Sequence, residues 1–259
     1  MTKAAILIDG GFFLKRLPTI SPQTDMSDPR AVASKLRYLV RSHLKKLNET
    51  AKVENWNQLR YRCFYYDAKP NDHKDRLPIS NVTIDFAKTD VARMRTELFS
   101  LIRAERGFAL RLGEVRPHPN RLWQIKTNVV GDLRAGKRDI NSLTDDDFKP
   151  TFMQKAVDMR IGLDIASITF KRQADTIILV TGDSDFVPAA KLARREGMEF
   201  ILDALHFDRL RPDLHEHIDG LVSAFPKPKP KPKPKSKPVA KTAAKKTASI
   251  KQGNGGTKC

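Results

Sequence analysis

Two short, unbroken apolar runs organise the chain, and each is cut off by acid. Ala4–Ala5–Ile6–Leu7–Ile8 closes at Asp9, and Ile177–Ile178–Leu179–Val180 passes through Thr181–Gly182 to Asp183 and Asp185. Runs of this length without polar alternation predict strands buried on both faces, as in the middle of a parallel sheet. Arg60–Tyr66, rich in aromatics and closing at Asp67, and Met198–Leu202, closing at Asp203, read as two more strands. Between them the apolar positions recur at helical spacing. Val32, Leu36, Leu39, Val40, Leu44 and Leu47 give a helix from Pro29, and Val91, Met94, Leu98, Leu101 and Ile102 give another that stops at Gly107. The same spacing predicts one long helix over Phe152–Phe170 and a short one over Val187–Arg195, with Pro188 in its first turn and Gly197 after its end. Phe12–Leu17 reads as a helix ended by Pro18, and Asn71–Asn81 as loop.

Phe108–Leu112 and Leu122–Lys126 read as two strands of a hairpin-like insertion, about 107–150, whose polar remainder Val129–Pro150 is expected to be a mobile loop. Strands alternating with helices predict an α/β fold: a three-layer α/β/α sandwich around a mostly parallel sheet, with right-handed crossovers. Ligands of such sheets bind beyond the carboxyl ends of the strands. Asp9, Asp183 and Asp185 are placed there, with Asp67 and Asp203 as further candidates.

Composition separates the C-terminus from the rest. The segment 226–259 carries eleven lysines, no acid and alternating prolines, which predicts an extended, disordered tail after a domain at 1–225. Of the formal charge of +18, +11 lies in that tail, leaving +7 for the domain, 18 − 11. A basic balance on both parts points to a polyanionic partner, with the tail adding salt-sensitive affinity for nucleic-acid phosphates. Cys63 and Cys259 supply neither a disulfide framework nor a cysteine zinc site. No apolar run approaches the ~18 residues of a membrane span, and the first apolar run ends too early for a secretory signal. The expected partner set therefore excludes membrane and the expected location is cytoplasmic; homo-oligomerisation stays open.

Acids on two strand ends suggest metal chemistry once a third element contributes. Asp158 is the candidate from the helix, sharing a predicted face with Ile161, Gly162 and Ile165, where Gly162 would allow close approach to the sheet. Asp164 lies about 120° round that helix from Asp158, at six residues of roughly 100°, and reads first as a structural hydrogen-bonding acid. Clustered carboxylates repel and need a cation, and oxygen-only ligands select Mg2+ or Mn2+. The chemistry that suits them is displacement at phosphate.

The order of Ile8–Asp9–Gly10–Gly11, Lys155–Ala156–Val157–Asp158 and Thr181–Gly182–Asp183–Ser184–Asp185–Phe186–Val187–Pro188 resembles the NYN domain family, in its LabA-like branch, within the PIN-like nuclease superfamily. The resemblance spans about 3–219. It implies a PIN-like sandwich and a metal-dependent ribonuclease acting on RNA; single-stranded DNA is a further candidate partner. Asp9, Asp158, Asp183 and Asp185 match the acidic metal positions, and Thr181 and Ser184 the small hydroxyls beside them. Many members place Asn two or three residues after the first acid, where this chain has Phe12 and Phe13. Lys155, Arg160, Arg194 and Arg195 are candidates for phosphate contact, each against the plainer reading of a solvated face. Trp56 and Trp123 are candidates for base stacking or for the core.

Two other functions compete. A haloacid-dehalogenase-type phosphatase also ends strands in acids, but it needs a second Asp two residues after the nucleophile, and position 11 is Gly. A non-catalytic nucleic-acid-binding module would leave the acids structural. His215 and His217 do not face each other on a helix and read as surface residues.

Overall fold

The architecture follows from which residues each helix buries against the sheet. In this computed structural model, residues 2–117 and 123–228 are described. The apolar run Ala4–Asp9 is strand β1, and helix α1 (Gly10–Ile20) follows it directly. α1 runs through Pro18 rather than ending there, because Leu17 and Ile20 both bury in the core and the Ser21 amide closes on the Leu17 carbonyl at 2.9 Å. Helix α2 (Pro29–Ala51) is capped by Asp28 with Pro29 in its first turn, and strand β2 (Arg60–Ala68) is next. The region read as loop after it carries a short antiparallel pair, β3 (Lys74–Arg76) with β4 (Thr83–Asp85). Helix α3 (Asp90–Ala104), capped by Thr89, leads to strand β5 (Phe108–Pro117).

The second half departs from the sequence pattern in three places, the first being that Val129–Pro150, expected to be a mobile loop, holds most of a helix and a short strand. Strand β6 (Trp123–Ile125) does not form a hairpin with β5; after helix α4 (Thr127–Arg134) it pairs with β7 (Phe148–Pro150). Phe152–Phe170 is not one helix. Strand β8 (Phe152–Lys155) pairs antiparallel with the far half of β5, and helix α5 (Val157–Phe170) starts after Ala156, which adopts φ 66°. The run then follows as expected through β9 (Thr176–Val180), α6 (Val187–Arg195) and β10 (Glu199–Asp203), and is completed by two elements without a sequence signal, the short α7 (Pro212–His215) and β11 (Gly220–Leu221).

The main sheet has seven strands in the order β11-β10-β9-β1-β2-β5-β8, parallel throughout except for β8. Alternate residues of β1 point to opposite layers. Ile6 and Ile8 meet α1, α2 and α3 through Phe13, Leu36 and Leu98, while Ala5 and Leu7 meet α5 and α6 through Ile161, Ile165 and Ala190. This is the three-layer α/β/α sandwich. No described helix is long and apolar enough to cross a membrane. The tail assigned to 226–259 lies, from residue 229 onward, outside the described residues.

His43 of α2 and Asp203 at the end of β10 form a fully buried pair at 2.8 Å. Burial raises the Asp203 carboxyl, but His43 and the amides of Ala224 and Leu205 outweigh it and hold the carboxyl below its usual range. Asp203 is thereby a structural residue rather than part of a catalytic set.

Candidate active site

From β1 the chain builds outward through β2 and β5, returns by β8 and α5, and then builds the other way through β9, β10 and β11. The order reverses between β1 and β9, which pair from Ala4 with Thr176 to Ile8 with Val180. A crevice opens at such a reversal on the carboxyl side of the strands. Asp9 and the 181–185 turn sit on that edge.

Asp9 ends β1 and caps α1, its Oδ1 accepting from the Phe12 amide at 3.0 Å. Its Oδ2 accepts from the Thr181 hydroxyl at 3.3 Å, and that hydroxyl also accepts from the Asp183 amide at 3.3 Å. Thr181, fully buried, therefore ties the end of β1 to the acidic turn after β9. Burial pushes the Asp9 carboxyl up to about 6, with the negative charges of Asp158 and Asp67 adding to the rise and the Phe12 and Thr181 donors opposing it. Gly10 permits this placement: a Cβ there would stand 2.5 Å from the Tyr65 ring and 2.6 Å from the Tyr66 carbonyl.

Asp183 accepts from the Asp185 amide at 3.0 Å, winding Ser184–Phe186 into a single 3-10 turn anchored by buried Phe186. The side chains of Asp183 and Asp185 stay exposed. Gly182 has no room for a side chain, since a Cβ would meet Phe12 at 2.6 Å and Phe207 at 3.0 Å. Phe12, standing near the amide position of many family members, thus forms an aromatic wall with Phe207, centroids 6.1 Å apart and edge to face.

Asp158 lies in the first turn of α5, where an acid is favoured by the helix dipole. It is exposed, so the buried stripe of α5 is Val157, Ile161, Ile165 and Ile168 without it. Gly162 is not a point of close approach either, as a Cβ there would meet nothing within 4 Å. Partial burial lifts the Asp158 carboxyl, and the charges of Asp183 and Asp185 lift it further. Asp158 is thus coupled by like charge to Asp9 on one side and to Asp183 and Asp185 on the other.

Among the described residues, no three His, Cys, Asp or Glu side chains stand close enough to grip an ion together. The four acids nonetheless offer only oxygen donors, and Asp9 carries a like-charge burden that a cation relieves. Such a set fits a hard divalent ion bound through one or two carboxylates with water completing its shell.

The remaining candidates divide. Ser184 opens the acidic turn, and Lys155 is exposed at the end of β8, opposite Glu114. Asp164 is structural, accepting from the Tyr66 hydroxyl at 2.8 Å and Arg111 Nε at 3.2 Å. Arg194 is engaged by Asp219 at 2.8 Å, and Trp56 lies under the Arg41 guanidinium, 5.9 Å from the ring centre. Sequence reasoning missed the Asp67–Arg95 pair at the end of β2. Asp67 is buried, accepts from Arg95 at 2.6 Å, and adds its charge to the field at Asp9. The aromatic run ending at Asp67 was the available signal; its partner, 28 residues on, carries none.

Residues 119–219 match the model of the NYN domain. That match contains Asp158, Asp183 and Asp185 and leaves Asp9 outside. The family implies a nuclease-like, RNA-related function. No curated protein matches the chain. Among solved structures, a Vibrio parahaemolyticus protein of unknown function is similar at 17% identity and TM-score 0.42, covering 86% of this chain and 95% of its own. A Sir2–p53 peptide–NAD+ structure aligns at 14% identity and TM-score 0.27, over 85% and 86% of the two chains.

Proposed function

We propose that this chain, whose residues 119–219 belong to the NYN domain family, is a divalent-metal-dependent ribonuclease that hydrolyses RNA phosphodiester bonds. The observation that carries the reading is that Asp158 shares like-charge repulsion with Asp9 on one side and with Asp183 and Asp185 on the other, the acids coming from three separate segments. Asp9, Asp158, Asp183 and Asp185 would hold Mg2+ or Mn2+. An ion so held polarises the scissile phosphoryl group, lowers the pKa of a water and stabilises the leaving oxygen. Thr181 fixes the orientation of Asp9, and Asp183 accepts from the Asp185 amide, holding the turn that carries Ser184 and Asp185. Lys155 and Arg160, exposed on either side of Asp158, are placed to meet RNA phosphates. The second reading, an RNA-binding module without catalysis, draws on one observation: the acids are coupled but not gathered into a tight ligand cluster.

Incubating wild type and Asp183→Asn with mixed RNA or single-stranded DNA in Mg2+, Mn2+ or EDTA separates the two. The expected result is RNA cleavage in Mg2+ or Mn2+ that EDTA and the substitution both abolish. Cleavage indifferent to both sinks the metal mechanism, and binding without cleavage in every metal favours the module.

The domain split at 225/226 and the tail's tethering role belong to the same proposal. Eleven lysines without acids supply sequence-independent affinity through counterion release. Deleting 226–259 should weaken RNA binding and flatten its salt dependence while leaving the rate of the bound chemistry unchanged. An unchanged salt slope, measured by titration at several salt concentrations, excludes the tether.

A further inference from the structure

Past the end of β2, where Arg95 pairs with Asp67, lies a cleft of about 700 Å3 that the chemistry above does not use. Its floor is Val115 of β5 and Phe152 of β8, its walls are Phe86 and Trp123, and the start of α3 closes one side. The aromatic rings form a continuous surface. Phe86 lies 6.0 Å from Trp123 at 35° between planes, and 5.0 Å from Phe152 edge to face. Lys69, Arg95 and Lys126 stand around it. Two donors of the lining, Trp123 Nε1 and Asn71 Nδ2, are buried without a hydrogen-bond partner. A buried donor without an acceptor costs about 1–3 kcal/mol and marks a place where a partner is missing.

We propose that this cleft receives an unstacked nucleobase of single-stranded RNA, holding the strand across the acidic edge; the proposal rests on the ribonuclease reading above. An aromatic-walled cavity alone would suit many apolar ligands. The basic groups around the rings narrow the choice to a flat ring that carries an anion on its backbone. Volume is consistent with small-molecule sites, about 300–1,000 Å3. The two donors are enclosed by the wall, so the wall must adjust around the base for them to be met. Asp145 is turned to the Ile79 and Ser80 amides, and Asp146 lies beside Lys126, which leaves the Lys69–Arg95 side for phosphate.

Position gives the cleft its link to the chemistry. Arg95 lines it and pairs with Asp67, which ends β2; β2 lies next to β1, and Asp67 contributes to the field at Asp9. On the proposal, a strand with one base in the cleft would bring a neighbouring phosphate to Arg95, at the end of the strand that lies next to β1.

The test uses the full chain, in EDTA so that no cleavage intervenes, at about 0.2 M salt to weaken the tail's contribution. Binding of a labelled single-stranded RNA oligomer is measured by anisotropy for wild type, Trp123→Leu and Phe152→Leu. A Trp56→Phe background leaves Trp123 as the sole indole, so its emission reports stacking directly. Stacking is worth about 1–3 kcal/mol per base, so each cleft variant should weaken binding about 5- to 150-fold. Wild type should lose as much on an oligomer whose bases are removed, and Trp123 emission should be quenched by intact RNA but not by the abasic strand. Binding within twofold for both variants, or emission unmoved by RNA, overturns the proposal. Should a variant misfold, the abasic comparison and the emission of the Trp56→Phe protein still decide it. Cleavage in Mg2+ by a protein whose cleft variants bind normally defeats the cleft alone; absence of cleavage with cleft effects intact defeats the nuclease reading alone.

Discussion

Asp9→Asn is expected to abolish RNA hydrolysis while making the metal-free protein more stable. The Asp9 carboxyl titrates near 6 in the folded chain against 3.8 for the free group. Its raised value means that the stability it contributes is fully present below about pH 4 and is lost as pH rises through 6. Above that window the penalty approaches about 3 kcal/mol, from a rise of about two units at 1.36 kcal/mol each, and residual solvation of the edge brings the expected gain on neutralisation to about 1–2 kcal/mol. Asn keeps the cap on the Phe12 amide, because its side-chain oxygen accepts as Asp does. In EDTA at pH 7.5 the variant should therefore melt a few degrees higher, with the gain vanishing near pH 4. Mg2+ or Mn2+ should raise the melting point of wild type and not of the variant, and RNA cleavage should fall at least about a hundredfold, more than the loss typical of an outer-shell partner. A variant no more stable than wild type at pH 7.5 would show that Asp9 is not a strained anion, and residual full activity would remove it from the site. This is the trade between stability and function that a clustered-carboxylate site imposes.

How far this site could be read from sequence depended on how local its signals are. Strands β1 and β9 were legible because a strand buried on both faces needs a continuous apolar run, and an acid closing such a run falls on the carboxyl edge whatever the strand order. Helix α3 was legible because Thr89 and Gly107 bracket its periodic stripe. The boundary between β8 and α5 was not. Phe152 and Val157 both carry apolar side chains compatible with a single helix, and the break depends on Ala156 entering the left-handed region and on β8 finding β5 some forty residues earlier in the chain. The same long-range pairing misled the reading of β5 and β6 as a hairpin, since sequence proximity favoured a partner that tertiary packing did not. Helix α4 buries only Val129 among its eight residues, too little to leave a stripe in the pattern. The four acids proposed as ligands stand out by their local motifs, whereas Asp67 needed Arg95 to be recognised as part of the electrostatic field at Asp9.

His43→Ala should cost about 1–3 kcal/mol or somewhat more, the range for leaving a buried, charged acceptor without one of its hydrogen-bond partners. His43 is 1% exposed and Asp203 0%, so water cannot replace the lost contact at Oδ2. The Ala224 and Leu205 amides still donate to the carboxylate, and Asp203→Asn, which preserves acceptors for them without the charge, should lose clearly less. In wild type the depressed Asp203 contributes stability that is present above about pH 4 and is lost as pH falls through its folded value. Without His43 that carboxyl is governed by burial and binds a proton more readily, so the penalty of His43→Ala should be smaller at pH 3, where wild type is losing the Asp203 contribution, than at pH 5. Chemical denaturation at the two pH values checks both statements, and an equal, small loss at each would make the pair incidental. The effect should reach the acidic edge. Asp203 anchors the turn through Leu205 and His206, both at positive φ, whose carbonyls are held by Arg16 at 2.9 Å each. That turn presents Phe207 to Phe12 and Gly182, directly beside Asp183. Loss of His43 should therefore lower cleavage even at temperatures where the variant stays folded, because the wall that fixes the 181–185 turn loosens before the fold does.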